Sequence, residues 1–134
     1  MNYSCFVDGA YSSSLDQGGV GIVFLKDGKK VLQYSKMFKH TSNNKMELGA
    51  IIIALRMIKK PIDSLTFYSD SQYCIGCITE GWKRKKNKIM WEAFDKEYSR
   101  VKELCSKIQF IHVKGHQSGN NLSDIAKWNN KVDK

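Results

Sequence analysis

The chain has 134 residues, 42% of them apolar, and this size and composition fit a single domain over residues 1–134 with a core of its own. It has no apolar run of about 18 residues, which excludes a transmembrane helix, and its N-terminus lacks the basic and apolar regions of a signal peptide. We therefore expect a cytoplasmic protein that binds no membrane. The formal net charge of +9 favours a polyanionic partner, although a general richness in Lys, Ile and Asn explains part of that charge.

Apolar periodicity predicts five strands and four helices along the chain. The predicted strands cover residues 3–8, 20–24, 31–38, 64–69 and 109–113. The predicted helices cover residues 44–59, 71–80, 88–105 and 123–134, and polar loops cover 11–19 and 114–121. The order βββαβααβα places a meander of three antiparallel strands before strands that alternate with helices and are therefore parallel. The sequence thus predicts an α/β fold, a five-stranded mixed sheet with helices on both faces.

Two clusters of special residues have ordinary explanations as well as functional ones. Cys74 and Cys77 have the spacing of half a zinc site or of a redox pair, but no second such pair follows, and core packing on one helix face is favoured. The basic block, defined as Lys83, Arg84, Lys85, Lys86 and Lys88, lies between Trp82 and Trp91. It fits a solvated surface and a phosphate-binding surface equally well.

Acidic residues at the predicted element junctions are the main chemical signal. Asp8 and Asp70 each follow an apolar run, and Glu47 lies at the start of a predicted helix. Each has a local explanation: a turn opening at Asp8-Gly9, a capping box that contains Glu47, and an N-cap at Asp70-Ser71. Carboxylates brought together from such junctions would suit Mg²⁺, and two ions about 4 Å apart can assist a phosphoryl displacement.

Four segments in order along the chain resemble ribonuclease H of type 1. They are Asp8-Gly9, Thr41-Ser42-Asn43-Asn44-Lys45-Met46-Glu47-Leu48, Tyr68-Ser69-Asp70-Ser71-Gln72-Tyr73 and His112-Val113-Lys114-Gly115-His116. The resemblance covers essentially the whole chain and implies a ribonuclease H-like fold. It also implies an endonuclease that hydrolyses the RNA strand of RNA–DNA hybrids with two metal ions, leaving 5′-phosphate and 3′-hydroxyl ends.

The resemblance also implies residue roles. Two Mg²⁺ ions, for which Mn²⁺ could substitute, would be bound by four catalytic carboxylates: Asp8, Glu47, Asp70 and Asp133. Asp124 satisfies the same Asn-x-x-x-Asp pattern as Asp133 but is explained by the dipole of its predicted helix. His116, in a polar loop, would act in proton transfer or product release.

Substrate binding is implied at five further positions. The amides of Asn43, Asn44 and Gln72 would contact the minor groove of the hybrid, including RNA 2′-hydroxyls. Gly9 would let the RNA backbone approach closely, and Ser42 would contact a phosphate of the DNA strand. We expect a monomer without an obligate protein partner.

Two other functions remain open from the sequence. Family chains usually continue beyond the last Asp, whereas this one stops at Lys134, so a non-catalytic module that only binds hybrids is one alternative. The position of Met1 immediately before the first strand favours a stand-alone enzyme. The other alternative is a transposase or integrase core, against which the Asn-Asn-x-Met-Glu and Asp-Ser-Gln motifs count.

Overall fold

A computed structural model describes residues 1–114, and these form a five-stranded mixed sheet. The strands are β1 (Asn2–Ser12), β2 (Gln17–Lys26), β3 (Lys29–Lys39), β4 (Ile62–Ser69) and β5 (Cys105–His112). Their order across the sheet is β3-β2-β1-β4-β5. β1 pairs antiparallel with β2, and β2 with β3, whereas β1 with β4 and β4 with β5 are parallel. The predicted mixed sheet is therefore confirmed.

Three helices pack on one face of this sheet. They are α1 (Asn43–Arg56), α2 (Gln72–Thr79) and α3 (Lys88–Lys102). α1 lies against β1 and β2 and also contacts α2 and α3, while α2 and α3 contact β5. The main core joins residues of all three helices to the sheet side chains of that face, such as Cys5 and Phe67.

The opposite face of the sheet carries a second, smaller apolar cluster of Phe6, Val23 and Leu25 with Tyr68 packed against it. It contains no residue of α1, α2 or α3. The strand period of two explains the division, because Cys5 and Val7 point toward the helices while Phe6 points away. The fourth helix, predicted over 123–134, lies outside the described residues, as does most of the loop predicted over 114–121.

The loop predicted over residues 11–19 is shorter than expected. β1 and β2 extend to Ser12 and Gln17, which are paired, so only residues 13–16 form the turn. The turn is held by Asp16, which accepts a hydrogen bond from the Tyr11 hydroxyl at 2.9 Å and pairs with His40 Nδ1 at 2.5 Å. The sequence did not predict these strand ends because they contain glycine and polar residues. Such residues pair through the backbone but form no alternating apolar pattern.

The third predicted helix, residues 88–105, is also too long. α3 ends at Lys102, where the N–H of the C-cap residue Glu103 donates to Arg100 and Val101 carbonyls, and β5 begins at Cys105. β5 is therefore longer at its start than the strand predicted over 109–113. Ser106 and Lys107, which follow the buried Cys105, are exposed and polar and gave no strand signal. Ile89, near the start of α3, is 81% exposed although it is apolar.

The four cysteines are free thiols and are buried, which confirms the prediction that Cys74 and Cys77 pack in the core. Cys74 and Cys77 lie on α2, Cys5 on β1 and Cys105 on β5. Among the helices of residues 1–114, none has both the length and the apolar character needed to cross a membrane.

Candidate active site

Parallel pairing of β1 and β4 brings Asp8 and Asp70 to the same level of the sheet. Val7 is paired with Ser69, and each aspartate is the next residue of its chain. Asp8 is buried at 6% exposure, and Asp70 is half-buried with its Oδ1 atom shielded from solvent. Asp8 and Asp70 thus lie on neighbouring chain segments at the same end of the sheet.

Helix α1 reaches this end of the sheet because residue 9 is glycine. A Cβ atom on Gly9 would lie 2.4 Å from the backbone N of Glu47 and 2.4 Å from the backbone C of Met46. Only a residue without a Cβ lets the start of α1 approach β1 so closely. The side of Gly9 on which a Cβ would point is therefore occupied by α1, a packing role that the sequence did not predict.

The local explanations for the three acidic residues fail. The N-cap of α1 is Ser42, whose Oγ accepts from Lys45 N at 3.3 Å, so Glu47 lies beyond the first turn and forms no capping box. The N-cap of α2 is Ser71 and not Asp70. Asp8 lies within β1, which continues to Ser12, and opens no turn.

Glu47 lies close to Asp70 and Ser71. Burial raises the pKa of the Glu47 carboxyl above its ordinary value, a hydrogen bond from the Ser71 hydroxyl opposes this, and the charge of Asp70 adds to the increase. The repulsion between the two carboxylates is the kind that a bound cation relieves.

Ser71 connects these elements and was not singled out from the sequence. It is 4% exposed, and its backbone N–H donates to Ser69 Oγ at 3.1 Å. Its Oγ accepts from Cys74 N at 3.1 Å while its hydroxyl donates to Glu47. The only signal in the sequence was its place at the start of a predicted helix, which indicates a cap and says nothing of Glu47.

The chemistry of the three carboxylates fits Mg²⁺, which prefers hard oxygen ligands and usually keeps several waters. Within residues 1–114, no group of three or more His, Cys, Asp or Glu side chains lies together in a way that could hold a metal ion. The carboxylates of β1, α1 and β4 would therefore supply part of a coordination shell. The other predicted ligand, Asp133, its alternative Asp124 and the predicted catalytic His116 lie outside the described residues.

Exposed amide side chains lie at the starts of two helices. Asn43 and Asn44 begin α1, Gln72 begins α2, and all three are exposed. Ser42, by contrast, is half-buried, and its hydroxyl already caps α1. The starts of α1 and α2 thus carry exposed hydrogen-bonding groups close in sequence to Glu47 and Asp70.

The chain is similar to known proteins over most of its length. The family model described as RNase H matches residues 1–134. The chain is 38% identical over 134 residues to "Ribonuclease H" of Actinobacillus pleuropneumoniae serotype 5b (strain L20), with 90% of this chain and 82% of that protein covered. It is 35% identical over 124 residues to "Ribonuclease H" of Trichodesmium erythraeum (strain IMS101), with 86% and 77% covered.

Among solved structures, the fold is similar to that of RNase H1 from the halophilic archaeon Halobacterium salinarum NRC-1. The TM-score is 0.64, and the match covers 84% of this chain and 86% of that one. At 22% sequence identity, this likeness concerns the fold alone.

Proposed function

This chain belongs to the ribonuclease H family, and from that premise we propose that it hydrolyses the RNA strand of RNA–DNA hybrids, leaving 5′-phosphate and 3′-hydroxyl ends. The observation that carries the proposal is that the β1–β4 pairing places Asp8 and Asp70 at one end of the sheet, where Glu47 of α1 lies close to Asp70. These residues form neither the turn opening nor the helix caps that would have explained them locally.

The three carboxylates, with Asp133 as a proposed fourth, would hold two Mg²⁺ ions, or Mn²⁺ in their place. Bound there, the ions would supply activation of a water and stabilisation of the leaving oxygen. The protein's own contribution is position. The β1–β4 pairing fixes the two aspartates, the Gly9 contact fixes α1, and Ser71 orients the Glu47 carboxylate.

Recognition of the RNA strand is proposed for the exposed amides. Asn43, Asn44 and Gln72 can donate to and accept from 2′-hydroxyls, the groups that distinguish RNA from DNA. A phosphate contact at Ser42 is compatible with its place at the N-terminus of α1, where the helix dipole favours an anion. A proton-transfer role for His116, and action as a cytoplasmic monomer, stay predictions from the sequence.

The test is cleavage of a strand-labelled RNA–DNA hybrid beside RNA–RNA and DNA–DNA duplexes, each with Mg²⁺ and with a chelator. We expect metal-dependent cleavage of the RNA strand of the hybrid alone. Asp70→Asn should abolish cleavage and retain hybrid binding, because the amide removes a metal-binding charge with little change of shape. Cleavage that persists in the chelator, or in Asp70→Asn, would contradict the proposal. Binding by the unsubstituted chain without cleavage would instead identify a hybrid-binding module.

A further inference from the structure

The segment of residues 82–88, which contains the basic block, is attached to α2 at its first residues. A Cβ on Gly76 would lie 2.1 Å from Cε3 of Trp82, so the indole ring lies directly against the α2 backbone. Trp82 N donates to Gly76 O at 3.3 Å, and the Cys77 thiol faces the Lys83 carbonyl at 4.0 Å. The start of the segment therefore has a defined place on α2.

Arg84 makes the second attachment, to α3. Its Nη1 donates to both carboxylate oxygens of Asp95, at 3.0 and 2.8 Å. Its guanidinium carbon lies 4.3 Å from the ring centroid of Trp91 and 5.8 Å from that of Phe94. An arginine that is both paired with a carboxylate and stacked on an aromatic ring has a fixed orientation.

The lysines of the basic block differ from Arg84. Lys83, Lys85, Lys86 and Lys88 are exposed, and within residues 1–114 none of them forms an ion pair. The charge of Arg84, in contrast, is balanced by Asp95, and its side chain is only 32% exposed. The block thus divides into four solvent-facing cations and one cation directed toward the protein.

We propose that Arg84 is a positioning residue, which holds segment 82–88 on α3 through Asp95 and Trp91 so that the four lysines present a preformed surface to hybrid phosphates. This inference rests on the proposed function and assigns Arg84 itself no phosphate contact. A segment that is already ordered loses less conformational entropy on binding, so its phosphate contacts contribute more to affinity.

Asp95→Asn is the decisive substitution, because it should change hybrid affinity in opposite directions under two interpretations. In one, the basic block acts through its charge alone, and in the other, Arg84 positions the segment. Removal of a negative charge beside a polyanion-binding surface strengthens binding if electrostatics alone matters. If Arg84 positions the segment, the same change releases it, and KM for a hybrid should rise about three- to tenfold with kcat within about twofold. Glu92→Gln, which removes an equal charge from an exposed position of the same helix, is the matched control and should leave KM unchanged or lower.

Limited digestion with trypsin, without nucleic acid, tests the attachment independently of activity. Trypsin cuts after lysine and arginine, so release of residues 83–88 should accelerate cleavage there in Asp95→Asn and leave Glu92→Gln like the unsubstituted chain. Arg84→Lys should behave like Asp95→Asn, since lysine keeps the charge and the cleavage site but loses the paired and stacked geometry.

A lower KM for Asp95→Asn than for Glu92→Gln, or equal digestion rates in both, would overturn the inference. If the unsubstituted chain did not act on hybrids at all, the proposed function would fail on its own. The digestion rates would then still decide whether Arg84 and Asp95 hold the segment.

Discussion

Ser71 follows the end of β4 and contacts a carboxylate on another element, that of Glu47 on α1. Its Oγ caps α2, and its hydroxyl hydrogen bonds to Glu47 on α1. Both contacts depend on one small, buried side chain. The hydroxyl therefore affects the folded state through the cap and the candidate site through the orientation and ionisation of Glu47.

Ser71→Ala should separate these effects. Loss of the cap should lower the free energy of unfolding by about 1 kcal/mol. Loss of the hydrogen bond to a charged group should lower kcat about tenfold, because Glu47 is then less well oriented and its ionised form less favoured. Hydrolysis of a labelled hybrid and urea denaturation measure the two quantities. Ser71→Thr keeps the hydroxyl and should recover most of the kcat, and an alanine variant with normal kcat and reduced stability would restrict Ser71 to its capping role.

Gly9 contacts helix α1 and Gly49 lies within it, and the two glycines differ in the space available for a Cβ atom. A Cβ at Gly9 would overlap the backbone of Met46 and Glu47, whereas a Cβ at Gly49, within α1, would meet only Met90 Cε at 3.7 Å. The contact at Gly9 sets the distance between α1 and β1, whereas a Cβ at Gly49 would make an ordinary van der Waals contact.

Gly9→Ala should therefore lower the free energy of unfolding by about 3 kcal/mol and remove most of the hydrolysis, because α1 must move away from β1 and take Glu47 with it. Gly49→Ala should instead raise the free energy of unfolding by about 0.5–1 kcal/mol, since alanine is the better helix former. Chemical denaturation of both variants provides the comparison. Equal stabilities would show that α1 accommodates a side chain at position 9 without displacement.

At the scale of elements, α3 is joined to the C-terminal end of α1 by Arg100. Its Nη1 donates to Ile58 O at 2.7 Å and its Nη2 to Leu55 O at 2.8 Å, which provides partners for carbonyls at a helix end. Glu97 holds the guanidinium in place through Nε at 2.9 Å and also pairs with Arg56. Burial alone would raise the pKa of Glu97, but the hydrogen bond and charge of Arg100, aided by Arg56, bring it below its ordinary value.

A lowered pKa in the folded state means that ionised Glu97 stabilises the protein above the unfolded-state pKa of about 4.3, and that this stabilisation disappears as the pH falls through the folded-state pKa. Glu97→Gln should therefore be less stable than the unsubstituted protein at neutral pH, with a difference that decreases in acid. Thermal unfolding across a pH series measures this difference. A Glu97→Gln difference that is constant with pH would exclude the ionic contribution.

The observed strands and helices show which parts of the fold the sequence could predict. The strands and helices that carry Cys5, Phe67 and Leu48 were predicted because their buried side chains follow the periods of a strand or a helix. The ends of β1, β2 and β5 were not, since backbone pairing alone defines them. Asp8, Glu47 and Asp70 were predicted as site residues, and that assignment stays a prediction. The partners Ser71–Glu47 and Arg84–Asp95 could not be predicted, because such contacts depend on how elements pack.

At the scale of the whole molecule, the basic side chains that give the net charge of +9 differ in whether they are paired with acidic side chains. Arg56, Arg84 and Arg100 are paired with acidic side chains, whereas the lysines of the basic block face solvent. The charge that remains for a polyanion is thus concentrated on lysines.

Hybrid binding should consequently be salt-dependent. If the four lysines each meet a phosphate, a plot of log affinity against log salt concentration should have a slope of about −3 to −4. Asp70→Asn allows the measurement without cleavage. Replacement of Lys85 by Gln should make the slope shallower by about 0.9, and a slope near zero would mean that the basic block does not meet the substrate.

The four buried thiols provide a measure of native-state fluctuations. A thiol reagent attacks the thiolate, and burial raises the pKa of Cys74 to about 12, so the closed protein offers almost no reactive form there. Labelling must wait until the surrounding structure opens. Since the thiols lie on β1, α2 and β5, the rate at which each is labelled reports how often its own part of the fold opens.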